Sequence, residues 1–552
     1  MKTLLTALLL AVLFCGRASA EDPLYVHVPW DCKWTDDPPC IVIPVGNSNK
    51  LNDQISPTFS LSKIEIQKHN LIDFASVMEF VQGVEVSQSG PTGQSASVFM
   101  RGTDSNHTLV MINGIPINDS STPTGAHDFG QDFMFGVQQV DVYKGSSGAH
   151  FGADAIGGAV NFRTTVDYER KINIDPNSTS GNYYFRTHNN WDISVSGGVY
   201  EQETQSALAG GNELDSVKNQ TVGFNASRWL DHNNNIYTNI LTRNTRADID
   251  GHSLAIEDGK WSDNTFYVMQ AGYVNHNVLG TSSFVLHTHA YDRKYDDADY
   301  TSESYTVRAE HKKDSWGIGI DYKHDASSAD SLWDTSSTVL NNLGVFANAT
   351  YDIFSVHYRH DQNYDSYKIG FLQPVTDSLS VRGSHSTGYK NSTRYTDTET
   401  SHTQEISVDY NNYTATLFQS DIGDLNTQGI ELSYTHDGLR LYASHLDSTK
   451  NSTQQLRRPN LSVGALYTHA LNDEWTVNTS YNYKGSHLDI NNTDYTTVSM
   501  PDRHLVDLGV TRQVGKLAFT VSADNLLNEQ YESPHGFSQE GRTLNVSLGL
   551  KF

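Results

Sequence analysis

The sequence predicts a transmembrane β-barrel preceded by a small α+β domain, and three observations carry that prediction. From about Gly181 to Phe552 the chain is a succession of segments in which apolar and polar residues alternate, such as TVGFNA at Thr221 to Ala226 and LNVSLGLKF at Leu544 to Phe552. That period of two places successive side chains on opposite faces of a sheet. After the amino-terminal leader no segment approaches the roughly 20 consecutive apolar residues of a transmembrane helix. Between leader and alternating region, Val81 to Thr165 holds short apolar runs separated by glycine, asparagine and aspartate.

In chain order, Met1 and Lys2 precede an apolar run from Leu4 to Phe14, and Ala18-Ser19-Ala20 supplies small residues for cleavage. Residues 1–20 are therefore expected to be a secretory signal peptide. Residues 21–50 carry prolines at 23, 29, 38, 39 and 44 and no sustained period, which predicts an extended segment. Of the three cysteines, Cys15 falls in the leader, leaving Cys32 and Cys40. In an exported chain this pair is read most simply as a disulfide, with a metal site as the competing reading. The run Ile41-Val42-Ile43-Pro44-Val45 is β-prone, either a strand added to a partner's sheet edge or the first strand of the small domain.

Residues 51–166 are expected to form the small domain. Phe59 to Gln67 reads as a strand, and Leu71 to Val81 has helical apolar spacing ending at Gly83. Ser97 to Arg101, Thr108 to Ile112, Val137 to Tyr143 and Ala159 to Arg163 have strand length, and the Asn-Gly and Gly-Ser-Ser-Gly segments between them are turn chemistry. Residues 167–552 then hold room for roughly 18 to 22 tilted strands of about 9 to 11 residues plus turns. The terminal strand sets Leu544, Val546, Leu548, Leu550 and Phe552 on one face, as lipid requires.

Composition narrows the function. A net charge of −26 argues against nucleic acid as a partner, and 29 tyrosines in a polar chain suit the aromatic girdles and wet lumen of an outer-membrane barrel. No nucleophile elbow, phosphate loop or metalloprotease histidine pair is present, so the chain is not read as an enzyme. The 23 histidines are scattered through strands and turns.

Several stretches resemble those of TonB-dependent outer-membrane receptors of Gram-negative bacteria. They are Phe99-Met100-Arg101-Gly102, Val110 to Pro116, Val140 to Gly145 and Phe151 to Asn161 in the small domain, with Asn525 to Tyr531, Gly541-Arg542 and Gln428 to Glu431 in the barrel. The resemblance implies about 22 antiparallel strands with the α+β domain as a plug inside the lumen. It also implies active transport of a scarce, large ligand, driven by a TonB-type inner-membrane energy-coupling complex. Within the family the tract Glu85 to Val98, the Arg101 to His107 stretch and Leu456 to Pro459 look most like the cobalamin receptors. A cobalamin-like corrinoid is thus the leading ligand, with a ferric siderophore or haem the runner-up, and a passive porin or adhesion barrel as a different class. The protein is expected as a monomer among outer-membrane lipids, and the family is compatible with a lipoprotein cap.

The resemblance places the energy-coupling segment at Ile41, Val42, Ile43, Pro44 and Val45, although proline there removes a backbone donor. Two loops rich in hydroxyl and amide groups are the expected ligand floor: Ser87, Gln88, Ser89, Thr92 and Gln94 in one, Asn118, Asp119, Thr122, Thr124, His127 and Asp128 in the other. Arg101 and Arg163 are expected to seat the plug against acidic barrel residues, because a charge in a crowded lumen needs a partner. No cofactor is required for transport. Calcium is a candidate at Asp248, Asp250, Tyr291, Asp292, Asp296, Asp297 and Asp299, with a solvated acidic loop as the other reading. A tract between Thr400 and Gln428 shorter than the family pattern predicts short loops there.

Overall fold

The computed structural model describes residues 58–250, 260–295, 298–331, 335–393, 396–491 and 493–552. The leader, the Cys32–Cys40 pair, Ile41 to Val45, Asp296 and Asp297 lie outside the described residues.

The amino-terminal domain contains β1 (Thr58–Ser62), α1 (Lys63–Lys68), α2 (Phe74–Glu79), β2 (Val84–Gln88), β3 (Ala96–Met100), β4 (Thr108–Ile112), β5 (Ile115–Pro116), β6 (Gln139–Lys144), α3 (Gly148–Phe151) and β7 (Gly158–Arg163). Five strands form a mixed sheet in the order β1-β6-β7-β4-β5, with β4 and β7 parallel, while β2 and β3 make a separate hairpin. Leu61, Val77, Met78, Val98, Val110, Val142, Val160 and Phe162 close one core, with the Phe74 ring stacked on Phe162.

The expected strand from Phe59 to Gln67 breaks in the middle. Ser62 and Glu65 form a reciprocal capping box, Ser62 N donating to Glu65 Oε2 at 2.9 Å, and this local pairing starts α1 where strand alternation would otherwise continue. The same device shortens the next helix: Asp73 caps Ser76 at 2.7 Å, so α2 begins at Phe74.

Behind this domain, 22 antiparallel strands close into a barrel, from Lys171–Ile174 to Thr543–Lys551, whose ends pair from Leu548↔Ile174 to Lys551↔Lys171. Alternation explains the wall. Along Phe354–Asp361, Val356 and Tyr358 face outward and are exposed, while Ser355, His357, Arg359 and Asp361 face the lumen and are buried. Leu544, Val546 and Leu550 of the closing strand are exposed likewise. Two-residue turns crowd the rim that carries Phe552, with Asp352, Asn411 and Asp437 at φ of 54°, 50° and 44°. Short turns mark that rim as periplasmic. The opposite rim carries the longer connections 206–213, 485–502 and 525–542. There, strands as long as the 18 residues of Lys260–Asn277 exceed what a bilayer needs and carry the wall beyond it.

The disulfide expectation is corrected to this extent: no disulfide bond is present among the described residues, and Cys32 and Cys40 lie outside them. Export makes a disulfide permissible, but the bond also needs matched Cβ directions and Cα atoms within about 7 Å, which nearness in sequence does not supply. Among the described residues the small domain is held by its own core and by the barrel wall around it.

Candidate functional site

The small domain sits inside the lumen, and the contacts holding it there define the site. At the end of β3 the chain turns sharply through Arg101 (φ 49°) and Gly102 (φ 77°), which drives the Arg101 side chain into the wall. Its Nη1 lies 3.0 Å from Glu405 Oε2, and its Nη2 and Nε lie 2.8 and 3.1 Å from the Glu431 carboxylate. The guanidinium also stands 4.2 Å over the Phe418 ring. Lys144, at the end of β6, reaches the same Glu431 oxygen at 2.8 Å. Burial lowers the Lys144 ammonium from its usual range even with Glu431 alongside. Gly83 is required here: its φ is 74°, and a Cβ would lie 2.3 Å from Glu431 Oε1.

A second ionic group lies nearby on the same wall. Glu79 and Glu85 of the plug meet Lys484 and Arg503 of the barrel, with Lys484 2.8 Å from Glu85 and Arg503 3.1 Å from Glu79. Arg458 stacks 3.7 Å over Phe99 and donates to Thr103 O at 3.1 Å and Asp104 at 3.0 Å. Across the lumen, Arg243 pairs with Asp132 at 2.5 Å and Arg293 with Asp119 at 2.9 Å. Burial works against charge on Asp119 and Asp132, but the facing guanidiniums together with hydrogen bonds from Ser121 and His127 outweigh it and hold both carboxyls below their usual range.

Arg101 thus sits between two barrel glutamates. Arg163 turns instead to Asp141 of its own sheet, at 2.5 Å.

The two loops expected to form the ligand floor are largely committed to the plug's own turns. Ser87 is buried in β2, Gln88 Nε2 donates to Pro91 O at 3.0 Å, and the Ser89 amide donates to Ser95 O at 2.9 Å. Thr92 is half-buried, and Gln94 reaches Asp248 O at 2.5 Å. Outer loops close over this segment: Gln539 donates to Gln88 O at 2.8 Å, and a Cβ on Gly90 would lie 2.5 Å from Ala207. In the second loop, Asn118 ties Val110 N, Thr108 O and Gly125 O together, and Asp119 belongs to the Arg293 pair. Thr122 Oγ1 donates to Asp119 O at 2.9 Å, His127 Nε2 is 2.8 Å from Asp132, and Asp128 accepts from Ala96 N at 2.9 Å. Thr124 is half-buried and Pro123 is exposed.

Toward the outer rim, barrel cations lie against plug carboxylates and tyrosine rings pack beside them, with Lys390 and Tyr389 buried. Lys390 lies 3.7 Å from Asp154, and Lys450 lies 3.8 Å from Asp104. Tyr295 and Tyr300 meet edge to face at 5.9 Å near the outer rim, and Tyr364 stacks on Tyr389 at 4.6 Å. Sequence reasoning did not assign Lys144, Lys484, Arg503, Glu405 or Glu431 a role. The signal was alternation itself, which turns a glutamate at 431 toward the lumen on the face that also carries Leu425, Thr427 and Gly429.

Among the described residues the expected calcium ligands do not come together. Asp248 accepts from Ser216 N at 3.0 Å, Tyr291 turns inward to Ile117 O at 2.8 Å, and Asp292 and Asp299 are exposed on the wall. Asp250 instead joins Glu213 and Asp215, three carboxylates with one oxygen each within 4.8 Å of the others.

Residues 50–159 match a family model described as TonB-dependent Receptor Plug Domain. A "Vitamin B12 transporter BtuB" of Vibrio vulnificus is 32% identical over 143 residues, spanning 26% of this chain and 23% of that protein. The protein of the same name from Vibrio cholerae is 22% identical over 593 residues, covering 92% of this chain and 95% of its own. Among solved structures, the siderophore receptor PirA of Acinetobacter baumannii superposes with a TM-score of 0.77 at 12% identity, over 92% of this chain and all of that one. A mutant of the ferric enterobactin receptor PfeA of Pseudomonas aeruginosa gives 0.74 at 13%, over 90% and 99%. At these identities the superpositions speak to fold.

Proposed function

We infer that this chain, a TonB-dependent outer-membrane receptor by its matching plug and its closed, filled barrel, imports a ferric chelate of low net charge. The observation that carries active transport is the plug itself. A 22-stranded barrel would be an open pore if empty. Here the lumen is filled by a domain held through buried ion pairs, and energy must be supplied to move it. An inner-membrane coupling complex is the partner that supplies it, and Ile41 to Val45 is the segment proposed to engage that partner by strand addition.

The ligand class rests on the outward surface. Lys390 lies against Asp154, Arg293 against Asp119, and Lys450 and Arg458 share Asp104, so these cations are committed to the plug before any anionic ligand arrives. Tyrosine pairs and turn hydroxyls suit a ligand with a neutral, ring-bearing or amide periphery. Architectural likeness to siderophore receptors agrees with this. A corrinoid is the second reading, supported by the full-length similarity to a vitamin B12 transporter. Glu213, Asp215 and Asp250 are the residues that would hold calcium. They furnish part of the six to eight oxygens such an ion takes, and their role would be to order the 206–213 loop.

Uptake of radiolabelled ferrichrome and cyanocobalamin by cells expressing the chain, with and without a protonmotive-force uncoupler, tests the reading. Ferrichrome accumulation that the uncoupler abolishes is expected. Energised uptake of cyanocobalamin alone would transfer the assignment to the corrinoid, and uptake indifferent to the uncoupler would overturn active transport.

A further inference from the structure

We infer that the ligand is held to one side of the outer mouth, between the second plug loop and the wall from Gly280–Tyr295 to Tyr364–Thr376, and that the first plug loop takes no part. Tyr295, Tyr300, Leu340 and Tyr364 are the wall residues that meet it. This deepens the transport reading above and rests on it. The wall is uneven in height. Seven consecutive strands, from Leu214–Trp229 to Thr335–Tyr351, run 15 to 18 residues, whereas the next, Phe354–Asp361, has 8. Alternation assigns the faces of the extra height. Ser302 Oγ donates to Asp119 of the plug at 2.8 Å, so Tyr300, two residues nearer the outer rim, shares its lumen face. Tyr295 follows Arg293, the partner of Asp119, in the same way. Asn342 donates to the lumen-facing Asp361 at 2.9 Å, so Leu340 also points inward, and it rises past the turn at 361–364 because pairing with the shorter strand begins only at Gly344. Leu340 is exposed there and the three tyrosines are half-buried, which makes this face apolar and ring-bearing with hydroxyls at its edge.

The two plug loops differ in cover. The first is roofed by barrel connections: Leu208 bridges Phe537, Ala209 N donates to Gly536 O at 2.9 Å, and Ala207, Leu208 and Phe537 are buried together. Gln539 holds Gln88 O at 2.8 Å, and a Cβ on Gly90 would lie 2.5 Å from Ala207. A ligand reaching that loop would have to strip the roof and return its apolar side chains to water. In the second loop Pro123 is exposed and Thr122 and Thr124 are half-buried. Thr393 Oγ1 donates to Pro123 O at 3.0 Å, which fixes this loop against the wall connection after Lys390. Among the described residues the open floor and the tall, ring-bearing face therefore lie together. The nearby Lys323–Asp325 and Arg293–Asp119 pairs, at 2.8 and 2.9 Å, leave them without net charge, as a neutral ligand periphery requires.

The test is maleimide labelling of the full receptor in outer membranes, with the natural cysteines replaced by serine and with ferrichrome and cyanocobalamin as probes. Bound probe should slow labelling of Thr338→Cys, on the same face as Leu340, about tenfold, and leave Ser95→Cys, an exposed position of the first loop, unchanged. Leu340→Asn and Tyr300→Ala should each weaken surface binding of that probe about tenfold, and Leu340→Met and Ser95→Ala by less than about twofold. Slowing at Ser95→Cys, alone or together with Thr338→Cys, would put the ligand over the first loop. Slowing at neither while the probe binds, or full affinity in both Leu340→Asn and Tyr300→Ala, would put it elsewhere. Each of these results overturns the inference while the transport reading stands. Binding of neither probe overturns the ligand class proposed above, and this site with it.

Discussion

Replacing Glu431 by glutamine isolates the central plug contact, because the change keeps shape and removes one charge. Glu431 accepts from Arg101 at 2.8 and 3.1 Å and from Lys144 at 2.8 Å, with its side chain 3% exposed. In Glu431→Gln, Arg101 keeps Glu405 at 3.0 Å, but Lys144 loses the carboxylate it touches. Breaking a buried pair by removing one partner costs about 3–5 kcal/mol, and the surviving Glu405 contact argues for the lower end. At about 3 kcal/mol, amides that exchange through opening of this seat should exchange roughly 150-fold faster. The Arg101 amide, bonded to Gly83 O at 2.7 Å, is the reporter, read by hydrogen–deuterium exchange. The exposed Arg512–Glu474 pair, at 3.3 Å, is the control. Glu474→Gln should change stability by about 0–1 kcal/mol and leave the Arg101 amide alone. Exchange within threefold of the unmodified protein in Glu431→Gln, or equal effects of both substitutions, would refute the reasoning.

Three further outcomes are expected. Asp73 caps α2 while fully buried, and burial, against the Ser76 hydrogen bonds, pushes its carboxyl up to about 6. The folded state therefore binds this proton more tightly than the unfolded chain, so its contribution is present at low pH and is lost as pH rises from about 4 to about 6. Exchange at Val77 should accelerate across that window, and Asp73→Asn, which can still cap, should flatten the dependence. Gly83→Ala places a Cβ 2.3 Å from Glu431 Oε1 at a φ of 74°, adding about 1–2 kcal/mol of backbone strain to the clash. Influx of a large hydrophilic antibiotic should rise as the plug loosens, whereas Gly210→Ala, with nothing within 4 Å, should not raise it. Calcium should protect the 206–213 loop from proteolysis, and Asp250→Asn should abolish that protection; protection unchanged by the substitution would remove the ion from this cluster.

The order of elements was readable without coordinates wherever a local rule governs. Alternation at Phe354–Asp361 and at the closing strand is a stereochemical consequence of extended backbone between lipid and lumen. Turn residues at positive φ, such as Asp437, carry their own signal, and Arg101 was marked by the family resemblance together with the need of a charge in a crowded lumen for a partner. Other local cues competed: the Ser62 and Asp73 caps ended a strand and shortened a helix, which apolar spacing alone did not foresee. The loop side chains at Asn118, Thr122 and Asp128 were read as ligand contacts, because hydroxyl and amide groups look alike whether they face solvent or close a turn.

Barrel, plug and their order along the chain were thus determined by the sequence alone, since pleat, turn and capping preferences act within a few residues. Which groups meet was decided only by tertiary structure. Arg101 finds Glu431 across 330 positions, Asp119 finds Arg293 across 174, and Arg163 turns to Asp141 in its own sheet. Those pairings depend on the register accumulated around 22 strands and on how the plug is rotated inside them. A shift of one residue in any strand exchanges its lumen face for its lipid face, so partner identity belongs to the closed barrel as a whole.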